Sequence, residues 1–315
     1  MAMLSKTSKD NQLNLKTLSY KDLTWIDIIQ PNREATKFLA DNYDFNQLDL
    51  EDALSPQQVS KVEVYENYIF IVMQISVYDK VEKLSTKKQW SAFVGVNFLI
   101  TLRPAELKVA DELFGECDSR DESREQYMSQ GSGYLLYQIL DRAIDRYFKV
   151  LDKIYSKIED IEDSVFKENI EAISQLTNLR RDIINQRQVM LPTRTTLVEL
   201  EPKLKHFSNA NLDLYFSDLM DHVNKICTIL DEYTEVIEVF KDLDYLQSSY
   251  LANRTTRALT MIMAIFLPIL VITAIYYILP QELGKGSFES FIALSVFAVI
   301  LVGIILLFLR RRHLI

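Results

Sequence analysis

Glycine, histidine and cysteine are all scarce in this chain, and each scarcity closes off a class of function. The 315 residues include 7 glycines, none of them in a GxxxxGK[ST] loop or a GxSxG elbow. Neither a backbone cradle for phosphate nor a nucleophile on a strained turn is therefore encoded. The 3 histidines, His206, His222 and His313, form no HExxH pair, which removes the usual zinc-hydrolase signature. The 2 cysteines, Cys117 and Cys227, lack metal-ligand spacing and suit a reducing compartment. No catalytic constellation is present, and no cofactor is expected. Positive charge is in deficit too: 35 Lys and Arg face 44 Asp and Glu, for a net charge of −9. A phosphate backbone needs a basic face, so nucleic acid is excluded as a partner, whereas metal cations fit this balance.

The glycine gap has a structural meaning. Between Tyr134 and Leu283 there is no glycine, and proline stands only at positions 192, 202, 268 and 280. Helix interiors exclude those two residues, so this half reads as long helices. Leu135, Ile139, Ala143, Tyr147, Leu151 and Ile154 recur at three- and four-residue spacing, an apolar stripe on one helix face. The spacing predicts a helix to about Leu191 with a bend near Asn169, and a turn bracketed by Pro192 and Pro202. A single helix from Asn211 to Leu279 should follow, roughly 100 Å long at ~1.5 Å per residue. Such a helix cannot be the core of a monomer. It must be bundled with its neighbours and with copies of itself.

Uninterrupted apolar sequence is what the chain has in abundance near its end. Ala258 to Leu279 carries no charge, and Phe291 to Leu309 is a second such run. The first spans ~33 Å as a helix, enough for a ~30 Å bilayer core. Arg254 and Arg257 flank the first run and Arg310, Arg311 and Arg312 close the second, while the loop holds Glu282, Lys285 and Glu289 without arginine. The positive-inside bias puts both termini in the cytoplasm. The expected partner is the lipid bilayer, with a plasma membrane location.

Ahead of the helices the pattern alternates. Strands are predicted over 24–29, twice within 61–78 around a Glu66-Asn67 turn, and twice within 89–102 around Val96-Asn97. Helices are predicted over 34–42, 46–54 and about 105–117, and 118–133 reads as a polar linker. The fold class is thus an α/β cytoplasmic domain (1–125), then long α-helices forming a cytoplasmic hairpin and stalk (134–257). Transmembrane helix 1 (258–279), an outer loop (280–290), transmembrane helix 2 (291–309) and a basic cytoplasmic tail (310–315) complete it.

Three segments in order carry a resemblance. Asn253-Arg254-Thr255-Thr256-Arg257-Ala258-Leu259-Thr260 with Ile265-Phe266-Leu267-Pro268, Tyr215-Phe216-Ser217-Asp218 with Asp221-His222, and Leu50-Glu51-Asp52 with Lys61-Val62-Glu63 and Glu66-Asn67-Tyr68 resemble segments of the CorA family of divalent cation transporters. The resemblance implies a funnel-shaped homopentamer whose five long helices line an axial pore. It implies divalent cations, Mg²⁺ or Co²⁺, as substrate and as regulator. Asp52 and Asp218, with Glu51 as a further ligand, match the acids that hold a regulatory divalent ion between subunits and close the pore. Helical spacing places Asn253, Thr256, Leu259, Met263, Leu267, Leu270 and Ala274 toward the axis.

The chain departs from the family at its signature. Where the family has Tyr-Gly-Met-Asn, this sequence has Tyr276, Tyr277, Ile278 and Leu279. Hydrated Mg²⁺ is best held by oxygen donors acting through its water shell, and leucine offers none. Leu270 also stands where the family has a polar Thr. The readings are a divalent-cation transporter with a different selectivity device, or a pentamer that conducts other ions or none and is gated by an unknown ligand. His222 reads as a polar surface or interface residue of the long helix.

Overall fold

The computed structural model describes residues 13–55, 58–79, 84–165 and 170–278, with 292, 296–297, 299–300 and 302–303 beyond them. The chain divides into two compact units, residues 1–239 and 240–315.

The first unit is built on a six-stranded sheet in the order β1-β2-β6-β5-β4-β3. The strands are β1 (Leu15–Tyr20), β2 (Leu23–Ile29), β3 (Lys61–Val64), β4 (Tyr68–Asp79), β5 (Leu84–Gly95) and β6 (Phe98–Arg103). The β3–β4 and β5–β6 hairpins turn at Glu66-Asn67 and Val96-Asn97, as the sequence predicts. Neighbours are antiparallel except β2 and β6, which run parallel with Ile26 opposite Ile100. Strand β2 is buried along almost its whole length, as a strand covered on both faces must be.

One face is covered by α1 (Arg33–Asn42) and α2 (Gln47–Leu54), each started by an asparagine whose side chain accepts from the first free N–H groups, a standard cap. Ala35, Leu39, Leu50 and Ala53 pack there on Ile26, Ile28, Phe70, Val72, Phe93 and Ile100. The other face meets α3 (Lys108–Ser119), α5 (Ser132–Val165) and α6 (Ile170–Leu204). Trp25 packs against Phe114 of α3 with ring centroids 5.0 Å apart and the rings tilted by 57°. Beneath them Arg103 and Asp27, both fully buried, form a fork of three bonds between 2.7 and 3.2 Å.

Two expectations need correcting. The stretch 118–133 is not simply a linker, because α4 (Asp121–Met128) occupies its middle, with Asp121 and Glu122 in its first turn favouring the helix N-terminus. Nor do Pro192 and Pro202 bracket a turn, since both lie inside α6. A proline inside a helix costs about 3 kcal/mol. Val189, Met190, Leu197, Leu200 and Leu204 of α6 are all buried, and each such side chain contributes ~1.5–3 kcal/mol, so packing wins. The break moves to a short 3₁₀ turn at Lys205–Phe207 and the residues after it. There Gly131 takes a positive φ of 96°, and a Cβ on Gly133 would meet Phe207 O at 3.1 Å.

Helix α7 (Leu212–Ile278) is continuous over 67 residues and includes Pro268. Its first turns pack on α5 through Tyr134, Tyr137, Tyr215 and Phe216. In the second unit, Ala252–Val271 is long and apolar enough to cross a membrane, with a mean hydropathy of 1.5. Most of the expected second span, the outer loop, the arginine tail and Leu279 lie outside the described residues, and those described at 292–303 are helical.

Candidate metal centre

Two helices of the first unit present metal-ligating side chains to each other at matching spacing. On α5, Asp141 and Asp145 are one helical turn apart; on α7, so are Asp218 and His222. Side chains at i and i+4 share a helix face. Leu219 and Val223, beside Asp218 and His222 on α7, are buried, and Tyr134 and Tyr137 of α5 meet Tyr215 and Phe216 of α7 a turn or two away. One ligand atom each from Asp141, Asp218 and His222 lies within 4.8 Å of the others. His222 Nδ1 stands 3.4 Å from Asp145 Oδ1, and the edge of its ring is set against Phe148 at 5.8 Å.

The electrostatics favour a cation. Burial raises the Asp141 carboxyl above its usual range, and the negative charges of Asp145 and Asp218 push the same way, against the Tyr137 hydroxyl and His222. Three acids gathered round one imidazole repel until a positive charge joins them. His222 Nδ1 is enclosed and makes no hydrogen bond among the described residues, with Asp145 Oδ1 its charged neighbour, whereas buried polar atoms are normally satisfied. Two carboxylates and an imidazole fit a divalent ion, and the nitrogen favours Co²⁺ or Zn²⁺ over an all-oxygen ion such as Mg²⁺.

Of the acids expected from sequence, Asp218 is part of this cluster and exposed on α7. Asp52 lies on α2 and is engaged elsewhere. Gln58 Nε2 donates to its Oδ1 at 2.6 Å and Lys61 Nζ to its Oδ2 at 2.6 Å. Glu51 is exposed and accepts from Gln47 Nε2 at 3.4 Å. Among the described residues, no hydrogen bond or ion pair joins Asp52 or Glu51 to Asp218 within the chain. His222, read from sequence as a polar surface or interface residue, is half-buried where α7 faces α5 and lies in the cluster. Asp141 and Asp145 were missed; the signal was a D-x-x-x-D on one predicted helix in step with D-x-x-x-H on another.

Asn253, Thr256, Leu259, Met263, Leu267, Leu270 and Ala274 all lie exposed on α7, with Leu259 59% and Leu270 65% accessible. Ile262, Phe266 and Ile269 are exposed as well, so apolar surface is open round most of the helix, the Met261–Ala264–Pro268 side being partly covered. That composition belongs in lipid or against further helices. Tyr276, Tyr277 and Ile278 continue the helix backbone.

Known proteins resemble this chain in sequence and fold. Residues 20–311 match the family model described as CorA-like Mg²⁺ transporter protein. The cobalt/magnesium transport protein CorA of Thermotoga maritima is 26% identical over 297 residues, covering 92% of this chain and 83% of that protein. The putative metal ion transporter YfjQ of Bacillus subtilis is also 26% identical over 297 residues, covering 91% and 88%. The complete structure of the CorA magnesium transporter from Methanocaldococcus jannaschii superposes with a TM-score of 0.74 at 22% identity, over 93% of this chain and 92% of that one. At that identity the last likeness is one of fold. A match of the family model over nearly the whole chain settles kinship, and with it a place among divalent-cation transport proteins rather than enzymes: the chain belongs to the CorA-like family of Mg²⁺ transporters.

Proposed function

We propose that this protein is a homopentameric transporter of divalent metal cations in the plasma membrane, with both termini cytoplasmic, closed by divalent ions held on its cytoplasmic part. The observation that carries this reading is the Asp141–Asp218–His222 cluster on α5 and α7. Without an ion, Asp141, Asp145 and Asp218 repel and loosen the contact between the two helices. A bound dication neutralises them and locks it. Asp218 then has a double role, with Asp141 and His222 of its own subunit and with Asp52 and Glu51 of a neighbour. Mg²⁺ and Co²⁺ are named for the T. maritima relative, and the imidazole of His222 weights this chain toward Co²⁺-like ions.

A second reading is favoured by the exposed stripe from Leu259 to Ala274, which is apolar throughout and ends in Tyr276-Tyr277-Ile278-Leu279. A pore so lined tends to dewet, and the pentamer then carries other ions, or none until a ligand opens it. Flux into proteoliposomes decides, with Mg²⁺, Co²⁺, Ni²⁺, Zn²⁺ and K⁺ tested side by side. Entry of divalents, inhibited by divalents on the cytoplasmic side, is the expected result. Silence for every divalent ion from an intact pentamer overturns the first reading.

A further inference from the structure

A cavity of about 160 Å³ lies inside the first unit, between the sheet and the two long helices α5 and α6. Its walls are apolar. Met73 and Trp90 come from the sheet, Leu140 and Ile144 from α5, and Val189 and Met190 from α6, all of them buried. The buried polar side chains of the walls are engaged with the protein itself. The Tyr147 hydroxyl donates to Gln186 Oε1, and the Thr193 hydroxyl donates to the Val189 carbonyl at 2.9 Å. Water stays in a cavity only where it finds several polar partners, whereas an apolar cavity of roughly 150 Å³ takes up benzene. Native interiors leave few voids larger than a water molecule, so a space of this size and lining suits an apolar occupant. Charge is confined to Glu106, Lys108 and Arg146, all reached by solvent, and these mark the mouth. Glu106 is matched by Lys88 at 3.5 Å, and Arg146 Nη2 binds the two Glu112 oxygens at 2.8 and 2.7 Å. Lys108 makes no hydrogen bond or ion pair among the described residues, which leaves the mouth with positive charge in excess. It also opens α3, whose N-cap residue Leu107 gives no side-chain bond to the first turn, and the free N–H groups of a helix start favour an anion.

We propose that this cavity is a binding site for a small monocarboxylate with an apolar body of about six carbons. The body lies against Trp90 and Met73, and the carboxylate stands beside Lys108 and the first turn of α3. The excess positive charge at the mouth turns away an amine of the same shape, and the volume turns away a long acyl chain. No divalent ion takes part, so the site stands or falls apart from the function proposed above.

The test is equilibrium dialysis of radiolabelled phenylacetate against the full-length protein in lipid nanodiscs, in metal-free buffer, with uptake by empty nanodiscs subtracted. Phenylethanol and phenethylammonium offer nearly the same shape with a neutral and a cationic head. Phenylacetate should bind at least about tenfold more tightly than phenylethanol, the effect of one charged hydrogen bond, and phenethylammonium should show no excess over empty nanodiscs. Lys108→Gln, at an exposed position, should bring phenylacetate down to the level of phenylethanol. Ala143 lines the cavity from α5, and Ala143→Leu should abolish the binding of both. Quenching of tryptophan fluorescence by para-bromophenylacetate, relieved by phenylacetate, should place the ligand beside Trp90 without any substitution. That measurement covers the case in which Ala143→Leu does not fold. Absence of phenylacetate binding, equal affinity for the three heads, unquenched fluorescence, or binding unchanged in a folded Ala143→Leu overturns the proposal.

Discussion

Replacing Arg103 by methionine should destabilise the first unit by about 3–5 kcal/mol, the range for breaking a buried ion pair from one side. The structure shows why the loss is large. Arg103 and Asp27 are both 0% exposed, and Arg103 binds both Asp27 oxygens, Asp111 at 2.7 Å and the Leu107 carbonyl at 3.1 Å. Methionine fills much of the volume but leaves the Asp27 carboxylate, among the described residues, with the Thr101 hydroxyl 2.7 Å away as its remaining side-chain donor. Asp111 suffers less, because Lys16 remains 2.9 Å from it. At ~2–4 °C per kcal/mol for a unit of this size, the melting midpoint should fall by roughly 6–20 °C. The double variant Arg103→Met/Asp27→Leu removes both charges and should recover at least about 2 kcal/mol of that loss. Far-ultraviolet circular dichroism of the detergent-solubilised protein reads both values. A single variant melting within about 2 °C of wild type, or a double variant worse than the single, would refute the reasoning.

Other tests bear on the site and the pore. His222→Ala should weaken Co²⁺- or Zn²⁺-dependent thermal stabilisation by about tenfold or more and that by Mg²⁺ much less; equal losses would deny the imidazole a place as ligand. Burial raises Asp49 from 3.8 to about 6, against hydrogen bonds from Tyr68 and Tyr65. Its folded value exceeds its unfolded one, so its contribution is complete below the unfolded value and is lost as pH rises through about 6,. Asp49→Asn should flatten the fall in melting midpoint across that window, and an unaltered slope counts against it. Leu270→Thr adds a hydroxyl to the exposed stripe and should raise ion flux several-fold by wetting it. Unchanged flux in an assembled pentamer would move the stripe off the pore.

Much of the fold was legible because its signals are local. Strands β3 to β6 and two of their turns follow from apolar runs broken at Glu66-Asn67 and Val96-Asn97, and α7 from the missing glycines; β1, short and polar, gave no such signal. Pro192 and Pro202 misled because proline is a local signal, while the burial that overrides it belongs to the tertiary structure. Helix α4 hid in a polar stretch for the opposite reason, having only Met128 fully buried. In the site, Asp218 was marked by a motif. Asp141 and Asp145 were not, because only the meeting of α5 with α7 makes ligands of them. Lys61 was quoted for its motif alone; its hold on Asp52 needed coordinates.

The parallel pairing of β2 with β6 has a consequence for synthesis. Thr101, which bonds Asp27 on the neighbouring strand, lies 74 positions later in the chain. Until the ribosome has delivered β6, the hairpin of β1 and β2 presents a bare, apolar edge, the kind that recruits other chains. Pairing across such a separation is intrinsically slow. Nascent chains stalled between residues 30 and 98 should therefore be the ones that need a chaperone, and release past Arg103 should end that need.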